Sequence, residues 1–247
     1  MLAADVNGID PEGCILNADG TFWLSEEYRP SLLCCESDGT VIKRFIPAGL
    51  KLPVSDIKVI ENLPAHYANR RPNRGFESLA VSSDESTIWA LMQSPFDAQA
   101  AECSGNVRLL GFDVEKEKPM YEYIYRLGDP AAPDFVTGGK VPDDGKLCAM
   151  ASIGPKKLLV LEQSDDGDAK LFRCELGEVT NVLGDDRNLD GVRDLVQADV
   201  KPIKKTLVAD LASLLPLFAS DITAGQWQPQ VGEKVAGLKL EGLAVLD

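Results

Sequence analysis

The sequence predicts an all-β fold: a β-propeller of four-stranded antiparallel blades, incomplete or open as the chain stands. Three observations carry this reading. Short apolar or alternating runs recur between turn signals such as Asp19-Gly20, Asp38-Gly39 and Gly154-Pro155, the pattern of strand, turn, strand. The runs fall into sets of four that repeat in series, as in radially packed sheets. A phrase with one acid, a small residue and a short apolar run also recurs. It reads Asp10-Pro11-Glu12-Gly13-Cys14-Ile15-Leu16, then Asn73-Arg74-Gly75-Phe76-Glu77-Ser78-Leu79-Ala80-Val81, then Leu240-Glu241-Gly242-Leu243-Ala244-Val245-Leu246.

The first set has strands at 13–17, 21–25, 31–36 and 40–46, closed by Pro47. Residues 51–72, with Pro53, Pro64 and Pro72, read as a connection. The second set has strands at 76–82, 87–93, 107–114 and 121–127. In its last strand Tyr121, Tyr123 and Tyr125 alternate with Glu122, Ile124 and Arg126, so three aromatics share one face. The third set is expected at 146–153, 157–163, 169–175 and 178–183, after a linker rich in Pro and Gly. A strand at 204–209 and a short helix around 211–218, interrupted at Pro216, follow. Residues 231–239 read as a loop or edge strand, and 241–247 open another set. The chain is thus one domain over 1–247, with blade-like sets near 12–47, 75–128 and 146–184 and a partial set over 203–247.

The bulk properties narrow the function. Hydrophobic residues make up 45% of the 247, enough for a sizeable core. Asp and Glu number 39 against 25 Lys and Arg, a net charge of -14. That balance argues against nucleic-acid binding, which needs a positive surface, and favours attraction of cations. No apolar run approaches the roughly 20 residues of a membrane span. No basic segment followed by an apolar one marks a signal peptide. The six cysteines form no C-x-x-C pair and sit mostly in apolar runs, so free buried thiols are expected, with a disulfide left open. His66 is the sole histidine and no G-x-S-x-G elbow exists, which disfavours a Ser-His-Asp triad.

The segments 21–32 (Thr-Phe-Trp-Leu-Ser-Glu-Glu-Tyr-Arg-Pro-Ser-Leu), 73–80 (Asn-Arg-Gly-Phe-Glu-Ser-Leu-Ala), 158–162 (Leu-Leu-Val-Leu-Glu) and 241–245 (Glu-Gly-Leu-Ala-Val) resemble, in that order, the phytase-like family, also called "esterase-like activity of phytase". The resemblance covers nearly the whole chain. It implies a β-propeller, an esterase-like or phosphoesterase activity on a small-molecule ester, and a secreted, periplasmic or organellar-lumen setting. A monomer is expected. Ser78 departs from the glycine usual in the family. By the same resemblance the chain lacks a sheet before Asp10-Pro11-Glu12 and a closing strand with an Asn-Asp-rich tail after its end.

Two constellations could carry chemistry. Blades set around a channel would aim Glu12, Glu27, Glu77, Glu162 and Glu241 at one channel mouth, with Arg74 beside Glu77. Clustered carboxylates cannot all stay ionised without a cation between them. Ca²⁺, a hard oxygen-seeking ion, would relieve that and polarise a phosphoryl oxygen. Arg74 would hold a phosphate, helped by the basic loop at 69–74. The structural alternative is that these acids serve local hydrogen bonds and ion pairs. The second constellation is Asp186, Asn188, Asp190, Val192 and Asp194, with Gly191 between, which fits the first nine positions of an EF-hand-type calcium loop. It resembles the calcium loops between strands of integrin-type repeats more closely. The expected function is a calcium-dependent hydrolase of phosphate or related esters. The alternative is a non-catalytic binding propeller in which Ca²⁺ staples the 186–194 loop.

Overall fold

Asp-Gly turns set the first sheet. In the turns at Asp19 and Asp38 the carboxylate accepts the N–H two residues on, from Thr21 at 2.9 Å and Thr40 at 2.8 Å. Gly20 and Gly39 take the left-handed conformation, with φ of 87° and 92°, that an L-side chain would resist. The strands they join are β1 (Pro11–Leu16), β2 (Phe22–Glu26), β3 (Ser31–Cys35) and β4 (Val41–Pro47), an antiparallel meander. The coordinates are a computed structural model describing residues 8–53, 56–96, 105–132, 135, 145–164, 168–185, 195–196, 198–218, 240 and 242–244.

Two further meanders follow. The second sheet is β6 (Phe76–Val81), β7 (Thr87–Met92), β8 (Asn106–Asp113) and β9 (Lys118–Arg126). The third is β10 (Lys146–Gly154), β11 (Lys157–Gln163), β12 (Ala169–Glu175) and β13 (Lys204–Asp210). All three are antiparallel in these four strands, so the expected all-β class and four-strand grouping hold.

The connection expected at 51–72 contains two elements. Strand β5 (Lys58–Leu63) adds to the first sheet, parallel to β4. A short 3₁₀ helix, Ala65–Asn69, then seats Tyr67 wholly in the core against Phe76 and Phe96, at ring-centroid distances of 4.9 and 5.6 Å. The fourth strand of the third sheet was expected at 178–183, but β13 fills that place. Residues 180–183 instead run along the free edge of β9. Asn181 Oδ1 accepts the Glu122 N–H at 2.9 Å, and Val182 N donates to Glu122 O at 2.9 Å. The helix α1 (Leu211–Phe218) runs through Pro216 rather than breaking there. The edge strand expected over 231–239 lies outside the described residues.

The sheets meet through their first strands: β1 lies beside β6, and β6 beside β10. Small residues permit the approach. A Cβ on Gly13 would stand 2.6 Å from Leu79 N. One on Gly75 would stand 1.9 Å from the Glu27 carbonyl oxygen. Ser78 Oγ accepts the Met150 N–H at 2.8 Å, and Leu147 N donates to Gln93 O at 2.9 Å, stitching the second sheet to the third. Trp23 and Phe45 of the first sheet pack on Phe112 of the second at 5.8 and 4.8 Å.

Gly75 is therefore where the first and second sheets are least tolerant of added atoms. The atoms it would strike are backbone and cannot rotate aside. Gly75→Ala should cost about 3 kcal/mol or more, as overpacking does. Gly177→Ala, which meets nothing within 4 Å, should change stability by less than about 0.5 kcal/mol. Urea unfolding of both variants checks this; equal effects would contradict the seam described here.

Candidate functional site

The acid of the recurring phrase is a bulged residue. The register between β1 and β2 shifts between Pro11 and Gly13, leaving Glu12 as the extra residue. That between β6 and β7 shifts between Phe76 and Ser78, leaving Glu77. That between β10 and β11 shifts between Leu147 and Ala149, leaving Cys148. A bulge re-aims the side chain it carries. The third sheet thus has a cysteine, not an acid, at this position. Glu241 lies outside the described residues, but its neighbours are placed. Leu240 and Leu243 pack on Cys148, Ala149 and Leu161, and Leu240 N donates to Gln163 Oε1 at 3.1 Å.

Glu12 is brought together with Glu27 and Asp10. One carboxylate oxygen from each lies within 4.8 Å of the other two. Glu27 is only 2% exposed, and its N–H donates to Asp10 O at 3.0 Å. Beneath them sits Glu26, fully buried. Its Oε1 accepts the Asp10 N–H at 3.3 Å, and its Oε2 accepts the Arg29 N–H at 2.6 Å and Arg44 Nη2 at 3.2 Å. Arg44 Nε donates to Ser31 Oγ at 3.0 Å. Burial pushes the Glu26 carboxyl up while Arg44 pulls it down, and burial lowers Arg44. A pair so sealed from water holds only because hydrogen bonds surround it. It fixes the backbone on both sides of the acidic cluster.

The basic loop borders the same place. Arg70 Nε donates to Tyr28 O at 2.7 Å, with the guanidinium 5.5 Å over the Tyr28 ring. Asn73 takes a left-handed φ of 54°, and Gly75 then lies against Glu27. Arg74 Nη1 donates to Ser94 Oγ at 2.8 Å, and Glu77 Oε2 accepts Gln93 Nε2 at 2.5 Å.

The remaining predicted residues lie apart from this cluster. Glu162 binds the buried Lys205 Nζ, accepts the Tyr125 hydroxyl at 2.7 Å and the Gly128 N–H at 3.1 Å. The ammonium sits 4.1 Å from the Phe172 ring centroid and 4.7 Å from that of Tyr125. Burial pulls Lys205 down, Glu162 opposes that, and burial drives the Tyr125 hydroxyl well up. Glu162 faces Leu147 as Glu26 faces Pro11, so the two acids hold equivalent positions. Met92 holds that position in the second sheet. The calcium-loop residues Asp186, Asn188, Asp190, Val192 and Asp194 lie outside the described residues.

His66 Nε2 is 2.6 Å from Glu122 Oε1 on β9. Burial pushes the Cys35 thiol up to about 11 and the Cys174 thiol to about 12, so neither forms a thiolate near neutrality. Cys14, Cys34, Cys35, Cys148 and Cys174 are all free. Sequence reasoning passed over Asp10, whose signal was its place two residues before Glu12. It also passed over Cys148, which no acidic pattern could reveal.

A family model described as "Phytase-like: Esterase-like activity of phytase" matches residues 3–247. A stretch of 148 residues is 28% identical to an "Uncharacterized secreted protein" of Arthroderma benhamiae, covering 51% of this chain and 29% of that protein. The chain thus spans under a third of that relative's length. Kuenenia stuttgartiensis hydrazine synthase aligns with a TM-score of 0.31 at 12% identity, covering 67% of this chain and 51% of that one. A likeness that shallow bears on neither fold nor activity.

The Glu162–Lys205 pair makes a stability prediction. Lys205→Met should cost about 3 kcal/mol, since it takes the buried ammonium from a largely buried carboxylate. Adding Glu162→Gln should recover part of that loss. Urea unfolding of the single and double variants checks it; a single-variant cost below about 0.5 kcal/mol would contradict the pairing.

Proposed function

The chain belongs to the phytase-like family, "esterase-like activity of phytase", and on that premise we propose that it is a calcium-dependent hydrolase of phosphate esters or related esters. Its site is the Asp10–Glu12–Glu27 cluster, at the mouth of a channel lined by the first strands of propeller blades. One observation carries this: the three carboxylates present oxygens within 4.8 Å of one another. Ca²⁺ binds oxygen at about 2.3–2.6 Å, so two oxygens on one ion stand no more than about 5 Å apart. The donor set is all oxygen, which suits a hard cation. A cation between them would offset the mutual repulsion of three carboxylates so close.

When bound, Ca²⁺ would polarise a phosphoryl or acyl oxygen. The chain's own residues do the rest. Glu26 and Arg44 hold Asp10 and Arg29 in place from below. Arg74 orients the anionic group of the substrate, a task for which a planar guanidinium is suited. Glu77, fixed by Gln93, adds negative potential to the same mouth. Glu241, outside the described residues, would join it by its repeat relation to Glu12 and Glu77. Among the described residues no side-chain nucleophile is paired to a base beside the cluster, and water is the proposed attacking group. The 186–194 loop, outside the described residues, would hold a second, structural Ca²⁺ through Asp186, Asn188, Asp190, the Val192 carbonyl and Asp194. The secreted relative supports an exported setting.

Release of p-nitrophenol from p-nitrophenyl phosphate and p-nitrophenyl acetate tests this. Turnover should require Ca²⁺, vanish with a chelator, and fall about 100-fold or more in Glu27→Gln. Turnover indifferent to both the chelator and Glu27→Gln, or no turnover on either ester, would overturn the proposal.

A further inference from the structure

The 27–30 turn holds an exposed aromatic ring still beside the acidic cluster. Tyr28 is 54% exposed, although it directly follows the buried Glu27. Its backbone surroundings are tied at three points. The Glu27 N–H donates to Asp10 O at 3.0 Å, and the Arg29 N–H to Glu26 Oε2 at 2.6 Å. The Tyr28 carbonyl accepts both Arg70 Nε, at 2.7 Å, and Arg70 Nη2. Pro30, with its fixed φ, is buried at the end of the turn.

The ring itself is gripped from one side. The Arg70 guanidinium stands 5.5 Å from the Tyr28 ring centroid, within cation–π range. One face is therefore occupied, and an exposure above one half leaves the other open to solvent. Freezing an exposed side chain costs conformational entropy that burial does not return. A ligand that stacks on a ring already held in place loses less freedom on binding. Glu27 and Tyr28 are consecutive, with Cα atoms about 3.8 Å apart, so the ring stands at the border of the proposed cation site.

We infer that Tyr28, positioned by Arg70, selects esters that carry an aromatic group, which stacks on the open ring face while the phosphate or carbonyl oxygen meets the cation. This rests on the hydrolase reading and names the substrate class for that same site. Stacking of two rings is favourable beyond the area it buries. A compact alkyl group would leave the open face wet. Arg70 is a positioning residue, since its guanidinium is committed to the Tyr28 carbonyl and ring.

Calorimetric titration of the full chain in Ca²⁺ with benzylphosphonate and ethylphosphonate tests it, since the two carry the same anionic group and resist hydrolysis. Benzylphosphonate should bind about fivefold or more tighter. That preference should persist in Tyr28→Phe, which keeps the ring. It should fall to near unity in Tyr28→Ala, whose exposed position leaves thermal unfolding unchanged, and shrink in Arg70→Ala, which frees the ring to turn. Equal binding of the two phosphonates, or a preference that survives Tyr28→Ala, overturns the aromatic selection and leaves the hydrolase reading standing. Binding of neither overturns the cation site and this inference together.

Discussion

The structure depends on how closely the end of β2 approaches the entry to β6. Gly75 lies so near the Glu27 carbonyl that no side chain could stand between them. That contact presses the first and second sheets together and lets Trp23 and Phe45 reach Phe112. It also carries the basic loop to the border of the acidic cluster. Packing and site are therefore one constraint, because the residue that permits the seam also adjoins a proposed cation ligand.

Buried charge does a second job in the same frame. Glu26 and Glu162 hold equivalent places in two sheets, and each is met by a base from that sheet's fourth strand, Arg44 or Lys205. Such pairs contribute little net stability relative to apolar replacements, yet losing one partner is costly. They act as locators. Glu26 passes its position on to Asp10 and Arg29 through backbone hydrogen bonds. In the second sheet Met92 takes the place, and Arg126 turns to the Phe135 carbonyl and Asn106 instead.

Much of the fold was legible because strand, turn and strand each leave a local mark. Asp-Gly turns and period-two alternation placed the strands of the first two sheets and three of the third. What failed was non-local. Strand β5 looks like linker because prolines flank it, and only pairing with β4 makes it a strand. The run at 178–183 has strand-like composition, but the edge of β9 claims it, and Lys205 ties β13 into the third sheet. The site divided in the same way. Repetition in the sequence marked Glu12 and Glu77 as special, and the bulges give the physical reason. It could not separate Glu27, which joins a cluster, from Glu162, which a buried lysine occupies. That difference lies in a partner more than 40 positions away.

The proposed site requires that Asp10, Glu12 and Glu27 hold a cation together. The direct measurement is anomalous diffraction from crystals of the protein soaked in Tb³⁺, an oxygen-seeking stand-in for Ca²⁺. A peak about 2.5 Å from all three carboxylates is the expected result. Peaks confined to other parts of the chain, with these carboxylates bare, would contradict it.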